Sequence, residues 1–273
     1  MKIWSMRKKK SRSLKWLASA LILICFFIAI QAAQVQAADS KLLWLVNPAH
    51  SIEPGFYPEN LIHVNGYLMR REAGEALVKM QKDMQATGIT SLRLQSAYRP
   101  YSYQQAIFAD KARALMGLGY AEEEARALAA RSVALPGTSE HQTGLAVDVS
   151  IDGRLNARFG ATEAGVWLHN NCTKYGFIIR YPKEKTIETK IIYEPWHLRY
   201  VGVPHAGYMQ ELEMCLEEYI EYVKEAGALL YWMNQGSYYK VSFSEGPPGD
   251  GVEYSSIGPG DGYIVTELRK FYR

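Results

Sequence analysis

The segment Ser139-Glu140-His141-Gln142-Thr143-Gly144-Leu145-Ala146-Val147-Asp148-Val149-Ser150 joins a metal-capable imidazole, a glycine suited to a tight turn and a carboxylate within an otherwise apolar strand. Burying a carboxylate such as Asp148 among aliphatic side chains is costly unless a positive partner meets it. Gly144 permits the turn that carries Asp148 back toward His141. The segment therefore predicts a divalent-metal site built on His141 and Asp148.

A second segment, Glu194-Pro195-Trp196-His197, lies about fifty residues downstream. A catalytic zinc ion usually takes three protein ligands and leaves one position for water. His141, Asp148 and His197 supply such a set, and Glu194 supplies a free carboxylate that can accept a proton. Trp196 is expected to pack in the core while it lines the site. The other histidines are expected to be structural or surface residues: His50, His63, His169 and His205.

The charge of the chain is unevenly distributed. The 273 residues have a formal net charge of +3, but residues 1–37 carry seven Lys or Arg and no acidic residue. The remaining 24 basic and 28 acidic residues leave a net charge of −4. This balance gives no electrostatic argument for a nucleic-acid partner.

The basic N-terminus reads as a targeting segment. Residues 2–15 are basic, residues 16–30 are apolar but short for a membrane span, and small residues near Ala37 suit cleavage. A cleaved secretory signal is favoured over an uncleaved membrane anchor, and either places the working domain outside the cytoplasmic membrane. Cys172 and Cys215 could then form a disulfide or remain two buried thiols, and sequence spacing leaves both open.

The coarse pattern of the exported chain mixes helices and short strands. Helices are predicted at 71–86, 103–115, 121–131, 162–175 and 208–223, and strands at 91–97, 145–151, 177–181, 189–193 and 197–201. Residues 39–65 are expected to be irregular. Without strict βαβ alternation, the fold class is α+β with a mainly antiparallel central sheet flanked by helices. The predicted units are a signal segment (1–37), a catalytic domain (38–228) and a small β-rich appendage of two or three strands (229–273).

The two segments together carry a family resemblance. Ser-x-His-x-x-Gly-x-Ala-x-Asp followed by Glu-x-Trp-His resembles the VanY-type D-alanyl-D-alanine carboxypeptidases, which are zinc peptidases related to D-Ala-D-Ala dipeptidases and to the hedgehog signalling domain fold. The matching residues are Ser139, His141, Gly144, Ala146, Asp148, Glu194, Trp196 and His197. The resemblance spans residues 43–224 approximately. Ala97 stands where the family usually has glycine.

The resemblance implies a role for each matching residue. His141, Asp148 and His197 would hold one zinc ion, and Glu194 would take a proton from the attacking water and pass it to the leaving amine. Arg99 would donate to the scissile carbonyl oxygen as negative charge develops there. Two further residues, Ser139 and Gln104, would bind the terminal carboxylate of the substrate, with Gln105 as a rival for the second role.

The function so implied is a secreted or membrane-tethered zinc D,D-carboxypeptidase that removes the terminal D-Ala from peptidoglycan stem peptides or precursors. Two biological roles are equally possible for this activity: removal of the target of glycopeptide antibiotics, and trimming of the cell wall. An L,D-carboxypeptidase that acts on tetrapeptides, and a non-catalytic cell-wall binding module, remain alternatives. The membrane would be a partner only through an uncleaved N-terminal segment.

Overall fold

The computed structural model describes residues 39–233, 236–249 and 252–270. The predicted signal segment lies outside these residues. Within the described part, no helix combines the length and the apolar character needed to cross a bilayer.

Helices and strands alternate irregularly along the chain, as expected. The helices are α1 (Arg71–Ala86), α2 (Tyr101–Gly117), α3 (Glu122–Ala130), α4 (Glu163–Asn171), α5 (Thr186–Thr189), α6 (Val203–Glu211) and α7 (Leu216–Ala226). The strands are β1 (Leu61–Val64), β2 (Tyr67–Arg70), β3 (Arg93–Ser96), β4 (Ala146–Ser150), β5 (Phe177–Tyr181), β6 (Glu194–Tyr200), β7 (Ala228–Met233), β8 (Ser237–Ser244), β9 (Glu253–Ser256) and β10 (Tyr263–Lys270).

The central sheet has the strand order β3-β4-β6-β5 and is antiparallel throughout. This confirms the predicted α+β class with a mainly antiparallel sheet flanked by helices. Strand β4 is buried at every position because it has a neighbour on each side and is covered by packed elements. Its register with β6 sets Asp148 directly opposite His197. The two predicted segments of the site are thus cross-strand neighbours.

The main core lies between this sheet and the helices that cover it. Helix α1 contributes Leu77, Met80 and Met84 at helical spacing, and all three are fully buried. Leu168 of α4 and Phe177 of β5 belong to the same cluster. The sheet is therefore rigid where it carries the site.

A β-hairpin that was not predicted precedes α1. Strands β1 and β2 pair with Val64 opposite Tyr67, and the turn residues Asn65 and Gly66 have φ of 49° and 89°. Positive φ at both central residues is the geometry of a type I′ turn, which Asn-Gly favours. The expectation of irregular chain over residues 39–65 was therefore wrong at its C-terminal end, where four-residue strands are too short to give a clear alternating pattern.

Two other predicted elements differ from the structure. The predicted helix at 208–223 is divided between α6 and α7, because Glu213 adopts a left-handed φ of 52° and the extended Cys215 is the N-cap of α7. The predicted strand at 189–193 does not form. Thr189 ends the short helix α5, Lys190 has φ of 62°, and the Ile192 amide donates to the Arg131 carbonyl outside any sheet.

The C-terminal β unit has four strands rather than two or three, in the order β7-β8-β10-β9. Its buried residues Val241, Ile257 and Ile264 share one hydrophobic cluster with Leu216 and Tyr219 of α7. The unit therefore packs directly onto the helices that follow the central sheet.

Both cysteines of the described chain are buried free thiols. Burial raises the pKa of Cys172 and of Cys215 to about 12. Of the two predicted alternatives, the structure has the pair of buried thiols.

Candidate active site

His141 lies in a single 3₁₀ turn, Glu140–Thr143, immediately before β4. Gly144 ends this turn with a left-handed φ of 73°, so the chain reverses into β4 without a Cβ penalty. The Nδ1 atom of His141 lies 2.6 Å from the Ala97 carbonyl oxygen and donates to it. Nε2 is therefore the free nitrogen, and it lies 3.2 Å from Oδ2 of Asp148.

His197 completes a compact set of three ligand atoms. Its Nδ1 lies 2.9 Å from Oδ1 of Asp148, and the ligand atoms of His141, Asp148 and His197 all lie within 4.8 Å of one another. All three side chains are buried, and Nε2 of His141 has no hydrogen-bond partner in the part of the chain that the structure describes. Two imidazoles and one carboxylate are ordinary ligands of a catalytic zinc ion. The donor set and the unpartnered nitrogen fit a divalent metal.

The protonation of these groups reflects burial and mutual contact. Burial, reinforced by the Arg99 charge, lowers the pKa of His141 to about 4. Burial also opposes the charge on His197, but its hydrogen bond with Asp148 and the nearby Glu140 carboxylate raise its pKa to about 9. Asp148 is buried as well, and the two imidazoles hold its pKa well below the usual range. Asp148 is therefore ionised and His141 neutral, the forms in which each would hold a metal ion.

Glu194 stands beside the ligand set at the start of β6. One carboxylate oxygen lies 3.9 Å from Nδ1 of His197, and the side chain is buried. The β4–β6 pairing ends at Asp148 and His197, so Pro195 removes no hydrogen bond from that ladder. Burial raises the pKa of Glu194 to about 7. A carboxylate with that pKa is suited to exchange protons near neutral pH.

Arg99 reaches the site from the chain that follows β3. Its Nη1 donates to the Ser96 hydroxyl at 3.0 Å and lies 3.4 Å from Oδ2 of Asp148. Its backbone amide donates to the His141 carbonyl, which fixes the start of the side chain. Arg99 lines the cleft above the ligand set, as Ser139, Trp196 and Glu194 also do.

That cleft has a volume of about 490 Å³, and the three predicted ligands form part of its floor. Gln104 does not line it. The Gln104 side chain is buried and its Nε2 donates to the Ala134 carbonyl at 2.8 Å, while its Oε1 has no hydrogen-bond partner among the residues described. Gln105, the rival, is exposed. Gln104 therefore positions the loop at Ala134, which is itself part of the cleft wall.

Two residues at the site had no role in the sequence-based interpretation. Tyr181, the last residue of β5, lines the cleft and packs its ring 4.9 Å from that of His197. Its position before Pro182 at the end of an apolar strand was the available signal. Glu140, between Ser139 and His141, is fully buried and lies 3.7 Å from His197 Nε2. No signal distinguished it from an exposed turn residue.

The chain is similar to several known carboxypeptidases. The VanY family, described as D-alanyl-D-alanine carboxypeptidase, matches residues 66–203. The putative carboxypeptidase YodJ of Bacillus subtilis is 41% identical over 198 residues, which cover 68% of this chain and 69% of YodJ. A D-alanyl-D-alanine carboxypeptidase of Enterococcus faecium is 35% identical over 188 residues, which cover 66% of this chain and 55% of that protein.

Solved structures of related carboxypeptidases are also similar to this chain. VanYB in complex with D-alanine-D-alanine is 38% identical, with a TM-score of 0.60 over 66% of this chain and 97% of that chain. A VanY mutant from a VanB-type resistance cassette, in complex with Zn(II), is 37% identical, with a TM-score of 0.60 over 66% of this chain and 99% of that chain. The LdcB LD-carboxypeptidase is 39% identical, with a TM-score of 0.58 over 66% of this chain and 86% of that one.

The fold, the cleft and these similarities define the class of the protein: it is a carboxypeptidase. More narrowly, the chain belongs to the VanY family of D-alanyl-D-alanine carboxypeptidases, as the sequence motifs predicted.

Proposed function

We propose that this chain is a zinc-dependent D,D-carboxypeptidase that releases the terminal D-Ala from peptidoglycan stem peptides or their precursors. The observation that carries the proposal is the buried set of His141, Asp148 and His197 beside Glu194 at the floor of one cleft. The Zn(II) complex of the related VanY supports the choice of metal. The D-alanine-D-alanine complex of VanYB supports the choice of substrate.

The chain's own residues then have definite tasks. A zinc ion held by the three ligands supplies Lewis acidity, which acidifies water and polarises a carbonyl oxygen. Glu194 accepts a proton from the attacking water and returns it to the leaving amine, a role that its raised pKa suits. The Glu194 side chain is buried, and that burial is the cause of its raised pKa.

Arg99 and Ser139 hold the substrate. The Arg99 guanidinium, anchored by Ser96, presents a fixed cation to the carbonyl oxygen, where it stabilises the transition state more than the ground state. The Ser139 hydroxyl on the cleft wall binds the terminal carboxylate, and Trp196 supplies an apolar wall for the D-Ala methyl group. Gln104 contributes through the Ala134 loop that it holds.

An L,D-carboxypeptidase is the second candidate, because the LdcB LD-carboxypeptidase is 39% identical to this chain. The two functions differ in the residue before the scissile bond, which is D-Ala in a pentapeptide and an L-centre in a tetrapeptide. Zinc-loaded protein should release D-Ala from the pentapeptide at least tenfold faster than from the tetrapeptide. The opposite preference would replace the D,D assignment with the L,D one.

The role of Glu194 separates an enzyme from a non-catalytic wall-binding module. Glu194→Gln should keep stoichiometric zinc and lose D-Ala release by about 10²–10⁴-fold, because the proton acceptor is gone. The exposed Glu163 provides the control, and Glu163→Gln should leave the rate unchanged. Wild-type turnover in Glu194→Gln, or full activity after exhaustive chelation of zinc, would refute the mechanism.

The location of the enzyme is proposed from residues 1–37. Their basic start and short apolar run support export across the cytoplasmic membrane, where the cell-wall substrate lies. Mass analysis of cell fractions tests this. A chain that begins near residue 38 in the external fraction supports cleavage, full-length chain in the membrane fraction supports an anchor, and full-length chain in the cytoplasm contradicts export. Glycopeptide susceptibility of a deletion strain distinguishes a resistance role from wall trimming.

A further inference from the structure

Glu140 is a carboxylate with no exposed side-chain surface, adjacent in sequence to His141. Its Oε1 is paired with two cations: Arg180 Nε donates to it at 2.8 Å, and Arg199 Nη1 lies at 2.8 Å. Its Oε2 is buried and has no hydrogen-bond partner within residues 39–233, 236–249 and 252–270. The two arginines account for one oxygen of this carboxylate and leave the other without a role.

The unpartnered oxygen faces a second unpartnered atom. Nε2 of His197 lies 3.7 Å from Oε2 of Glu140 and likewise lacks a hydrogen-bond partner among the described residues. The other ring nitrogen of His197, Nδ1, points to Asp148 at 2.9 Å. When Nδ1 serves as the ligand atom, the ring proton of a neutral imidazole must be on Nε2. Glu140 Oε2 is then the acceptor that this proton faces.

Glu140 is held in place from several directions. The remaining Arg180 donors pair with both oxygens of Glu217 in α7, at 2.8 and 2.6 Å. Arg199 Nη2 donates to the carbonyl oxygens of Leu42 and Trp44. Because both guanidinium groups are buried and are tied by hydrogen bonds to other parts of the fold, they hold the Glu140 carboxylate close to His197.

We propose that Glu140 is a positioning residue, which fixes His197 with Nε2 protonated toward Glu140 and Nδ1 directed at Asp148 and the metal. The inference rests on the metal dependence proposed above. A carboxylate behind a ligand histidine sets its tautomer and ring orientation and raises its basicity. The purely structural alternative is that Glu140 only balances the charge of the two arginines. Both arginines meet Oε1, so this alternative gives no reason for Oε2 to lie opposite His197.

Glu217 offers a matched control, because Glu217→Gln removes a carboxylate from the same arginine without touching His197. Zinc affinity of the full chain is measured by competition with a chromophoric chelator, and unfolding of the zinc-free proteins is measured alongside. Glu140→Gln should weaken zinc binding 10–100-fold. Glu217→Gln should change it less than threefold at a similar loss of stability. Equal effects of the two variants on zinc affinity, or wild-type affinity in folded Glu140→Gln, would overturn the proposal.

A measurement on the wild-type protein covers the case in which Glu140→Gln does not fold. Nitrogen-15 NMR of the zinc-loaded chain should show the His197 proton on Nε2, and a proton on Nδ1 would overturn the proposal. Failure of the two proposals is distinguishable. Tight zinc binding with the expected tautomer but without D-Ala release leaves the positioning role intact and removes the peptidase assignment, whereas a wild-type chain that binds no zinc removes both.

Discussion

Acid should destabilise the folded protein through one histidine remote from the ligand set. His205 in α6 is buried; its Nδ1 lies 2.9 Å from the Tyr219 hydroxyl and its Nε2 lies 3.1 Å from that of Thr266. Neither partner is charged, and burial lowers the pKa of His205 to about 3. In the unfolded chain the group titrates near its ordinary pKa of about 6.5. Protons therefore bind the unfolded chain first as the pH falls.

The sign and the size follow from linkage. Above about pH 6.5, His205 is neutral in both the folded and the unfolded chain, so it does not change the free energy of unfolding with pH. Below that pH, each further unit of acidification lowers the free energy of unfolding by about 1.4 kcal/mol. At pH 5 the loss from this one residue is about 2 kcal/mol, and it continues to grow until the pH reaches the folded-state pKa of about 3. A loss of that size is a large fraction of the stability of an ordinary domain.

Denaturant unfolding of the zinc-free protein at pH 8 and at pH 5 provides the assay. His205→Gln should be less stable than wild type at pH 8, because it loses packing and one hydroxyl partner. Its disadvantage should shrink by about 2 kcal/mol at pH 5, since it no longer takes up the proton. The exposed His169 gives the control, and His169→Gln should track wild type. An identical pH dependence for His205→Gln and wild type would refute the reasoning.

Three other substitutions test the site. Gly144→Ala should lower the free energy of unfolding by about 1–2 kcal/mol, because φ is 73° and the new Cβ would lie 3.1 Å from Cδ2 of Leu61. Thermal unfolding measures this loss, and an unchanged Tm would show that the position tolerates a side chain. Arg99→Lys keeps a positive charge but loses the planar guanidinium group, so kcat for D-Ala release should fall about 10²–10³-fold. A wild-type kcat in this variant would show that Arg99 does not stabilise the transition state. Gln104→Leu should raise KM for the pentapeptide by freeing the Ala134 carbonyl, whereas exposed Gln105→Ala should not; equal values for both would exclude the loop role.

The sequence identified the three side chains that the fold brings together, because the information needed for that is local and chemical. Asp148 within an apolar strand required a positive partner, and the structure places His141 and His197 against it. His197 reaches Asp148 because β4 and β6 pair as neighbouring antiparallel strands. Glu194 followed from its place three residues before His197, and the structure buries it beside the ligands.

Other features depend on contacts that no local pattern carries. The apolar spacing that predicted one helix over 208–223 continues across a break, which is set by the left-handed Glu213 and by the unusual cap at Cys215. The stretch 189–193 has strand-forming side chains but no neighbouring strand to pair with. For Gln104, the position along α2 did not say that its amide meets Ala134 rather than the cleft. The Asn65-Gly66 turn was a readable hairpin signal between strands too short to support it.

The cross-strand pairing of Asp148 with His197 also orders the events of assembly. His141 and Asp148 are seven residues apart, but His197 comes 49 residues after Asp148 and reaches it only through the β4–β6 register. A chain in which these strands are unpaired holds two ligands, too few for a closed site, and a slip of one residue would turn His197 to the opposite face. Capture of a metal ion by these three residues would therefore follow sheet formation and report on its correctness. An ion that binds there would stabilise the finished sheet by an amount that grows with the logarithm of its free concentration, without guiding the chain toward it.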